Sequence, residues 1–213
     1  MKFRARIVLA EDHAMLRDAF RRLLEPRHEV LQAVADGRSL VEAVTQMEPD
    51  IVLLDISMPL LNGVDAGQQI QKRLPKARLI YLTVNEDPDL AAELLRRGAA
   101  GYLIKNSASS ELFTAIDQVL AGNVYLTPLL AKGQSLEQFL RRQVPSCPDK
   151  LTPRQREVLQ LLAEGYAMKQ VADRLNLTPR TVAFHKYTTM EHLGIKTSAE
   201  LVQYAVKHGL VSP

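Results

Sequence analysis

From Ile7 to Gly122 the chain alternates short apolar runs with stretches whose apolar residues recur at helical spacing. Ile7-Val8-Leu9-Ala10 predicts a buried strand that ends at Glu11-Asp12. Residues 14–25 place Leu16, Phe20, Leu23 and Leu24 on one helical face and stop at Pro26. Val30 to Ala35 predicts a second strand, closed by Asp36-Gly37, and residues 39–47 a second helix, ended by Pro49. Ile51-Val52-Leu53-Leu54 is the most uniformly apolar run, reads as a strand buried on both faces, and ends in Asp55. A helix over 64–73 follows Asn62-Gly63. Arg78 to Thr83 predicts the fourth strand, and Pro88 opens a helix that ends at Gly98. Gly101-Tyr102-Leu103-Ile104-Lys105 predicts the fifth strand, and residues 109–121 the helix after it. Five strands alternating with five helices imply a parallel, doubly wound sheet covered on both faces.

The pattern then changes. Residues 123–148 contain Pro128, Pro145, Pro148 and Gly133, and read as a linker with one short amphipathic helix over 136–142. From Leu151 onward only helices are predicted. Thr152-Pro153-Arg154-Gln155 is a capping box with Pro at the first helical position, and its helix stops at Gly165. A second helix covers 168–175, Asn176-Leu177 turns, and Thr178-Pro179 caps a third. Thr197-Ser198-Ala199-Glu200 reads as another capping box, opening a fourth helix that ends at Gly209. Two short helices across a tight turn form a helix-turn-helix. The domains are therefore expected at 1–122 and 149–213, joined by 123–148.

Charge separates the same regions. Residues 149–213 carry nine Lys/Arg and six Asp/Glu, and the rest of the chain carries 18 of each. All the excess positive charge lies in the C-terminal helical segment, which suits a nucleic-acid-facing module. Cys147 is the single cysteine, so no internal disulfide can form and a reducing compartment is expected. Lys2, Arg4 and Arg6 precede an apolar run that Glu11-Asp12 stops too early for a signal peptide, and no run is long enough to span a membrane. A soluble cytoplasmic protein is expected.

The strand ends carry the chemistry. Glu11-Asp12, Asp55, Thr83 and Lys105 end four of the five strands at one edge, where open parallel sheets bind ligands. Carboxylates close together repel unless a cation holds them, and hard oxygen donors suit Mg²⁺. Such a cation beside a fixed lysine handles phosphate, and Asp55 is placed to act as nucleophile and form an aspartyl phosphate. Lys105 would offset charge on the phosphoryl oxygens and Thr83 donate a hydrogen bond to one of them. In the third C-terminal helix Val182, His185, Thr189 and Leu193 share an inward face. Arg180, Ala183, Phe184 and Tyr187 lie on the other. Arg180 and Thr181 suit phosphate contact near a helix N-terminus, and Ala183 and Phe184 suit thymine methyl groups. Lys169 and Lys186 are further candidates for backbone contact.

These motifs carry a family resemblance. Glu11-Asp12, Asp55-Ile56-Ser57-Met58-Pro59, Thr83 and Gly101-Tyr102-Leu103-Ile104-Lys105 resemble the receiver domain of two-component response regulators, a flavodoxin-like fold. Leu151-Thr152-Pro153-Arg154-Gln155, Val171-Ala172-Asp173-Arg174-Leu175, Thr181-Val182 and His185 resemble the LuxR-type helix-turn-helix of NarL/FixJ regulators. The resemblance implies a Mg²⁺ held by Glu11, Asp12, Asp55 and the Ser57 backbone carbonyl, with Tyr102 as the aromatic that turns inward as Thr83 moves. It implies a sensor histidine kinase as phosphoryl donor, double-stranded DNA with a two-fold operator, and a phosphorylation-dependent homodimer, for which the helix over 109–121 is a candidate surface. It implies a regulator rather than a classical enzyme, with only self-phosphorylation and slow dephosphorylation. The chain departs from the family at Ala183, commonly lysine, at Thr189, commonly aliphatic, and at Ala167-Met168, commonly a Ser/Thr cap. A rival reading is a phosphorelay or interaction node with a degenerate DNA domain, which would bind DNA weakly and without sequence preference. A stand-alone kinase or phosphatase is disfavoured, because no Gly-rich phosphate loop is present.

Overall fold

The computed structural model describes residues 4–106, 109–141 and 151–211 and divides them into two compact units. The first comprises residues up to Ile56 and from Gly63 to Pro145; the second gathers Ser57–Asn62 with Ser146–Pro213. Cys147 and the expected start of the C-terminal domain at 149 lie outside the described residues.

The first unit is built on a parallel sheet of β1 (Arg6–Ala10), β2 (Glu29–Val34), β3 (Ile51–Asp55), β4 (Arg78–Thr83), β5 (Gly101–Ile104) and β6 (Tyr125–Leu126), in the order β2-β1-β3-β4-β5-β6. Five strands were expected, and the sheet has six. β6 is only two residues long and has no apolar run to announce it. It forms because Tyr125 N–H and Thr127 N–H donate to the carbonyls of Ala100 and Tyr102, at 2.9 and 3.0 Å. The helices of this unit are α1 (Ala14–Leu24), α2 (Gly37–Met47), α3 (Gly63–Arg73), α4 (Pro88–Arg96), α5 (Ser109–Leu120), α6 (Pro128–Ala131) and α7 (Leu136–Leu140).

Successive strand residues face opposite sides of the sheet. Ile7, Leu9, Ile51, Leu53, Ile80, Leu82 and Leu103 pack with Leu24 of α1 and with Leu112, Ile116 and Val119 of α5. On the opposite side α2 packs on β1, β2 and α3. Ile51 to Leu54 are fully buried, and each such side chain contributes about 1.5–3 kcal/mol of transfer free energy. Local chemistry sets the helix starts. Asp36 Oδ1 accepts from the N–H groups of Arg38 and Ser39 at α2, and Asp87 accepts from Asp89 N–H at α4, which has Pro88 in its first turn. Leu16, expected on the buried face of α1, is 39 % exposed beside exposed Met15; Phe20 and Leu23 pack against the core and Leu24 lies within it.

The second unit contains α8 (Pro153–Ala163), α9 (Met168–Leu175), α10 (Pro179–Leu193) and α11 (Ser198–Lys207). Val158 and Leu161 of α8, Val171, Ala172 and Leu175 of α9, and Val182 of α10 form one core. Leu159 and Leu201 belong to a second core with Leu151, Ala205 and Leu210. The capping box at Thr152 is complete, since Thr152 and Gln155 exchange hydrogen bonds. At α11 only half the expected box forms. Thr197 accepts from Glu200 N–H, but the Glu200 carboxylate accepts from Lys196 N–H instead of closing back on Thr197. Across the helix-turn-helix, Asn176 adopts a left-handed φ of 51° and ends α9, while Thr178 caps α10.

Two stability predictions follow from buried polar atoms. The Thr189 hydroxyl has no hydrogen-bond partner among the described residues, and the residue is 2 % exposed. Thr189→Val keeps the shape and removes the unpaired group, so urea unfolding is expected to show a gain of about 1 kcal/mol; a loss would contradict the placement. His28 is buried, with its ring stacked on Phe113 and no partner for Nδ1 among the described residues. Burial lowers its pKa below 6.5; Asp117 opposes the shift and Arg27 and Arg4 reinforce it. As pH falls through about 6.5 the unfolded chain takes the proton first, so stability falls with pH. His28→Gln is expected to flatten that acid-side loss in unfolding midpoints, and an unchanged slope would refute it.

Candidate functional site

The parallel register of β1, β3 and β4 brings their carboxyl ends to one edge. Glu11 follows β1 and is fully buried; Asp55 ends β3 and is 4 % exposed. Lys105 follows β5. Its ammonium lies 2.7 Å from Glu11 Oε2 and 2.8 Å from Asp55 Oδ2, and its side chain is 6 % exposed. Burial works against its charge, but the carboxylates of Asp55 and Glu11 outweigh that and raise its pKa. The backbone aids the arrangement, as Lys105 N–H donates to Thr83 carbonyl at 2.7 Å.

Asp12 and His13 complete the cluster. His13 Nδ1 lies 2.8 Å from Asp12 Oδ1 and 3.2 Å from Glu11 Oε1. The Asp12 carboxylate is the main cause that raises the His13 pKa, with Glu11 adding to it. Arg17 donates to the carbonyls of Glu11 and Asp12, holding the turn after β1. One potential ligand atom from each of Glu11, Asp12, His13 and Asp55 lies within 4.8 Å of the others. With His13 neutral, three carboxylates against one ammonium leave two negative charges, which matches one divalent cation, and the oxygen donors suit a hard one. This acidic cluster can hold a metal ion.

Thr83 ends β4 and is 3 % exposed, and its Oγ1 accepts from Asn85 N–H at 2.9 Å. Tyr102 is fully buried, and its hydroxyl donates to Asn85 carbonyl at 2.9 Å. Burial raises the pKa of that phenol above its usual value. Asn85 therefore links Thr83 to Tyr102, and its role was missed because one loop asparagine carries no periodic signal. Ser57 stands two residues beyond Asp55, in the segment grouped with the second unit. Gly63, at the start of α3, has no room for a side chain, because a Cβ would collide with the Asp55 carbonyl.

In α10 the inward face is as expected: Val182 and Thr189 are buried, and His185 and Leu193 half-buried. Phe184 and Tyr187 are 65 % and 60 % exposed. Arg180 and Lys169 are exposed as well, and Ala183 and Thr181 half-buried. The Thr181 hydroxyl sits 2.9 Å from that of Thr178. Lys186 is engaged within its own unit, donating to Ser198 Oγ at 2.9 Å. His185 packs edge-on to Phe184.

Comparison with known proteins places this geometry in a family. Residues 7–117 match the response regulator receiver domain, and residues 149–205 match the bacterial regulatory proteins of the luxR family. The chain belongs to the response regulators that join a receiver domain to a LuxR-type helix-turn-helix, and so is a DNA-binding transcriptional regulator of the two-component class. It is similar to the transcriptional regulatory protein MctR of Rhizobium johnstonii, 32% identical over 209 residues covering 97% of this chain and 95% of that one. It is similar to the oxygen regulatory protein NreC of Staphylococcus carnosus, 33% identical over 97% of this chain and 99% of that one. Among solved structures it resembles RcsB of Salmonella enterica serovar Typhimurium bound to promoter rprA with the phosphomimetic BeF3-. The TM-score is 0.57 at 25% identity, over 94% of this chain and 98% of that one. Among the described residues no helix is long and apolar enough to cross a membrane.

The ion cluster predicts a metal response. Lys105→Met leaves buried carboxylates facing one another, with an expected cost of about 3–5 kcal/mol in metal-free buffer. A divalent cation should then raise the variant's melting temperature more than the wild type's; an equal or smaller rise would contradict the charge balance.

Proposed function

We propose that Asp55 accepts a phosphoryl group from a sensor histidine kinase and that this acceptance switches DNA binding by the C-terminal unit. The observation that carries the reading is the Lys105 ammonium bridging Glu11 and Asp55 at the sheet edge, with Thr83 on the neighbouring strand end. An Asp55 carboxylate oxygen attacks phosphorus, the bond from phosphorus to the donor's imidazole nitrogen breaks, and that nitrogen takes up a proton. The Lys105 ammonium then pairs with a phosphoryl oxygen and keeps its proton, and the Thr83 hydroxyl donates to another. Glu11, Asp12 and Asp55, with the Ser57 carbonyl that family membership implies, would hold Mg²⁺, which supplies further charge neutralisation. Water later hydrolyses the acyl phosphate, so the only catalysis is self-directed. Residues 1–122 form the receiver in this reading, and residues 149–213 the DNA-binding domain, of a cytoplasmic regulator.

Thr83 cannot keep accepting from Asn85 in the same geometry once it turns to the phosphoryl group, and Tyr102 follows through the Asn85 carbonyl. The two-state receiver then favours a homodimer, with α5 as candidate surface, whose symmetry matches a two-fold operator. Arg180, Thr181, Lys169 and Lys186 serve phosphate contact, Lys186 with one of its three donors on Ser198. Ala183, Phe184 and Tyr187 face the base edges. The solved RcsB complex, formed with promoter DNA and a phosphoryl mimic, supports this pairing of signal and output.

The test is selection from a randomised DNA pool, with and without an acyl-phosphate donor and Mg²⁺, for wild type and Asp55→Ala. A two-fold site whose enrichment strengthens with donor, and does so only in wild type, is expected. No enriched sequence in either state would refute the reading and favour the interaction node. A phenyl ring in the major groove can meet one apolar partner, the thymine methyl. Replacing thymine by uracil in the selected half-site should therefore weaken wild-type binding about 3–10-fold and leave Phe184→Ala unchanged; equal losses in both would remove Phe184 from the interface.

A further inference from the structure

The segment after α5 was expected to be a linker with a short helix; that helix forms as α7, and the segment from β6 to α7 is folded onto the receiver. β6 extends the sheet in parallel beside β5, pairing Gly101 with Tyr125 and Tyr102 with Leu126. Thr127 is fully buried, and its hydroxyl donates to the Glu111 carboxylate in the first turn of α5. Leu130 of α6 is 4 % exposed. At the far end α7 packs on α4, and its Phe139 is fully buried. Ser135 caps α7 in a complete box with Gln138.

Both ends of this strap rest on groups that Asn85 holds. At one end β6 pairs with Tyr102, whose hydroxyl donates to the Asn85 carbonyl. At the other, the Asn85 side chain accepts from Asp87 N–H at 2.8 Å, Asp87 caps α4, and α4 carries α7. Asn85 itself donates to Thr83. A turn of Thr83 toward a phosphoryl group therefore acts on the loop that seats both ends of the strap. The two ends are not equally secured. β6 is held by backbone hydrogen bonds and a buried hydroxyl, whereas α7 is a helix of little more than one turn whose attachment centres on one phenylalanine. The α7 end yields first.

We propose that residues 125–140 are the receiver's output strap: docked on β5 and α4 as seen here, and released from α4 at the α7 end when Asp55 is phosphorylated. This rests on the phosphoacceptor reading of Asp55. Release adds the segment from about residue 128 to residue 140 to the connection between the units. A longer connection widens the range of half-site spacings that two tethered DNA-binding units can reach.

Hydrogen-exchange mass spectrometry on the full chain, with and without acetyl phosphate and Mg²⁺, tests this. Intact mass on the same samples reports the phosphoryl group. Amides of 136–140 are expected to exchange at least about fivefold faster in the phosphorylated protein, while those of β3 and β4 stay protected. Ser135→Ala removes only an exposed cap, so it is expected to speed α7 exchange about fivefold without donor and to move DNA affinity toward the phosphorylated value. Phe139→Ala should do the same more strongly. A confirmed phosphoryl group on Asp55 with unchanged α7 exchange would overturn the strap and leave the phosphoacceptor intact. Absence of any phosphoryl group would remove the phosphoacceptor reading and the strap with it. Faster exchange in Ser135→Ala with DNA affinity unmoved would also overturn the output role.

Discussion

A buried ammonium between two buried carboxylates is the constraint around which the receiver is organised. Desolvating Glu11, Asp55 and Lys105 is costly and tolerable only with short ion pairs, here 2.7 and 2.8 Å. Those distances require β1, β3 and β5 to end at the same level, which the parallel register and the apolar strands impose. The pairing is incomplete by design of its charge. With Asp12 included and His13 neutral, one ammonium leaves two negative charges. A site that is stable yet short of positive charge is suited to gaining a cation and then a phosphoryl group.

The same edge shows how a small chemical event can reach a larger element. Thr83 and Tyr102 do not touch the ion pairs; both are hydrogen-bonded to Asn85. Through Asp87 that loop also sets the start of α4, and through the β5–β6 pairing it meets the chain leading out of the receiver. The core beneath is close-packed strand and helix, and elements with fewer buried contacts, loops and short peripheral helices, open at lower cost.

Much of this was legible in the sequence because buried parallel strands announce themselves as unbroken apolar runs. Ile51 to Leu54 mark the central strand, and whatever ends such a run, here Asp55, falls at the ligand edge. Lys105 and Thr83 were readable for the same reason. What escaped lies where periodicity carries no information. β6 is two residues held by backbone bonds, Asn85 acts through its loop position, and Leu16 sits on a helical face that the core does not cover. In the C-terminal unit the inward face of α10 followed from spacing, but the engagement of Lys186 by Ser198 depends on a neighbouring helix that the sequence places twelve residues away.

The central claim is that Asp55 is a cation-dependent phosphoacceptor. The most direct measurement is intact and peptide-level mass spectrometry after incubation with acetyl phosphate, with Mg²⁺ or with a chelator. The account predicts one phosphoryl group per chain, located on Asp55, formed only with the divalent cation and absent from Asp55→Asn. Phosphorylation at another residue, or equal labelling in chelator, would contradict it.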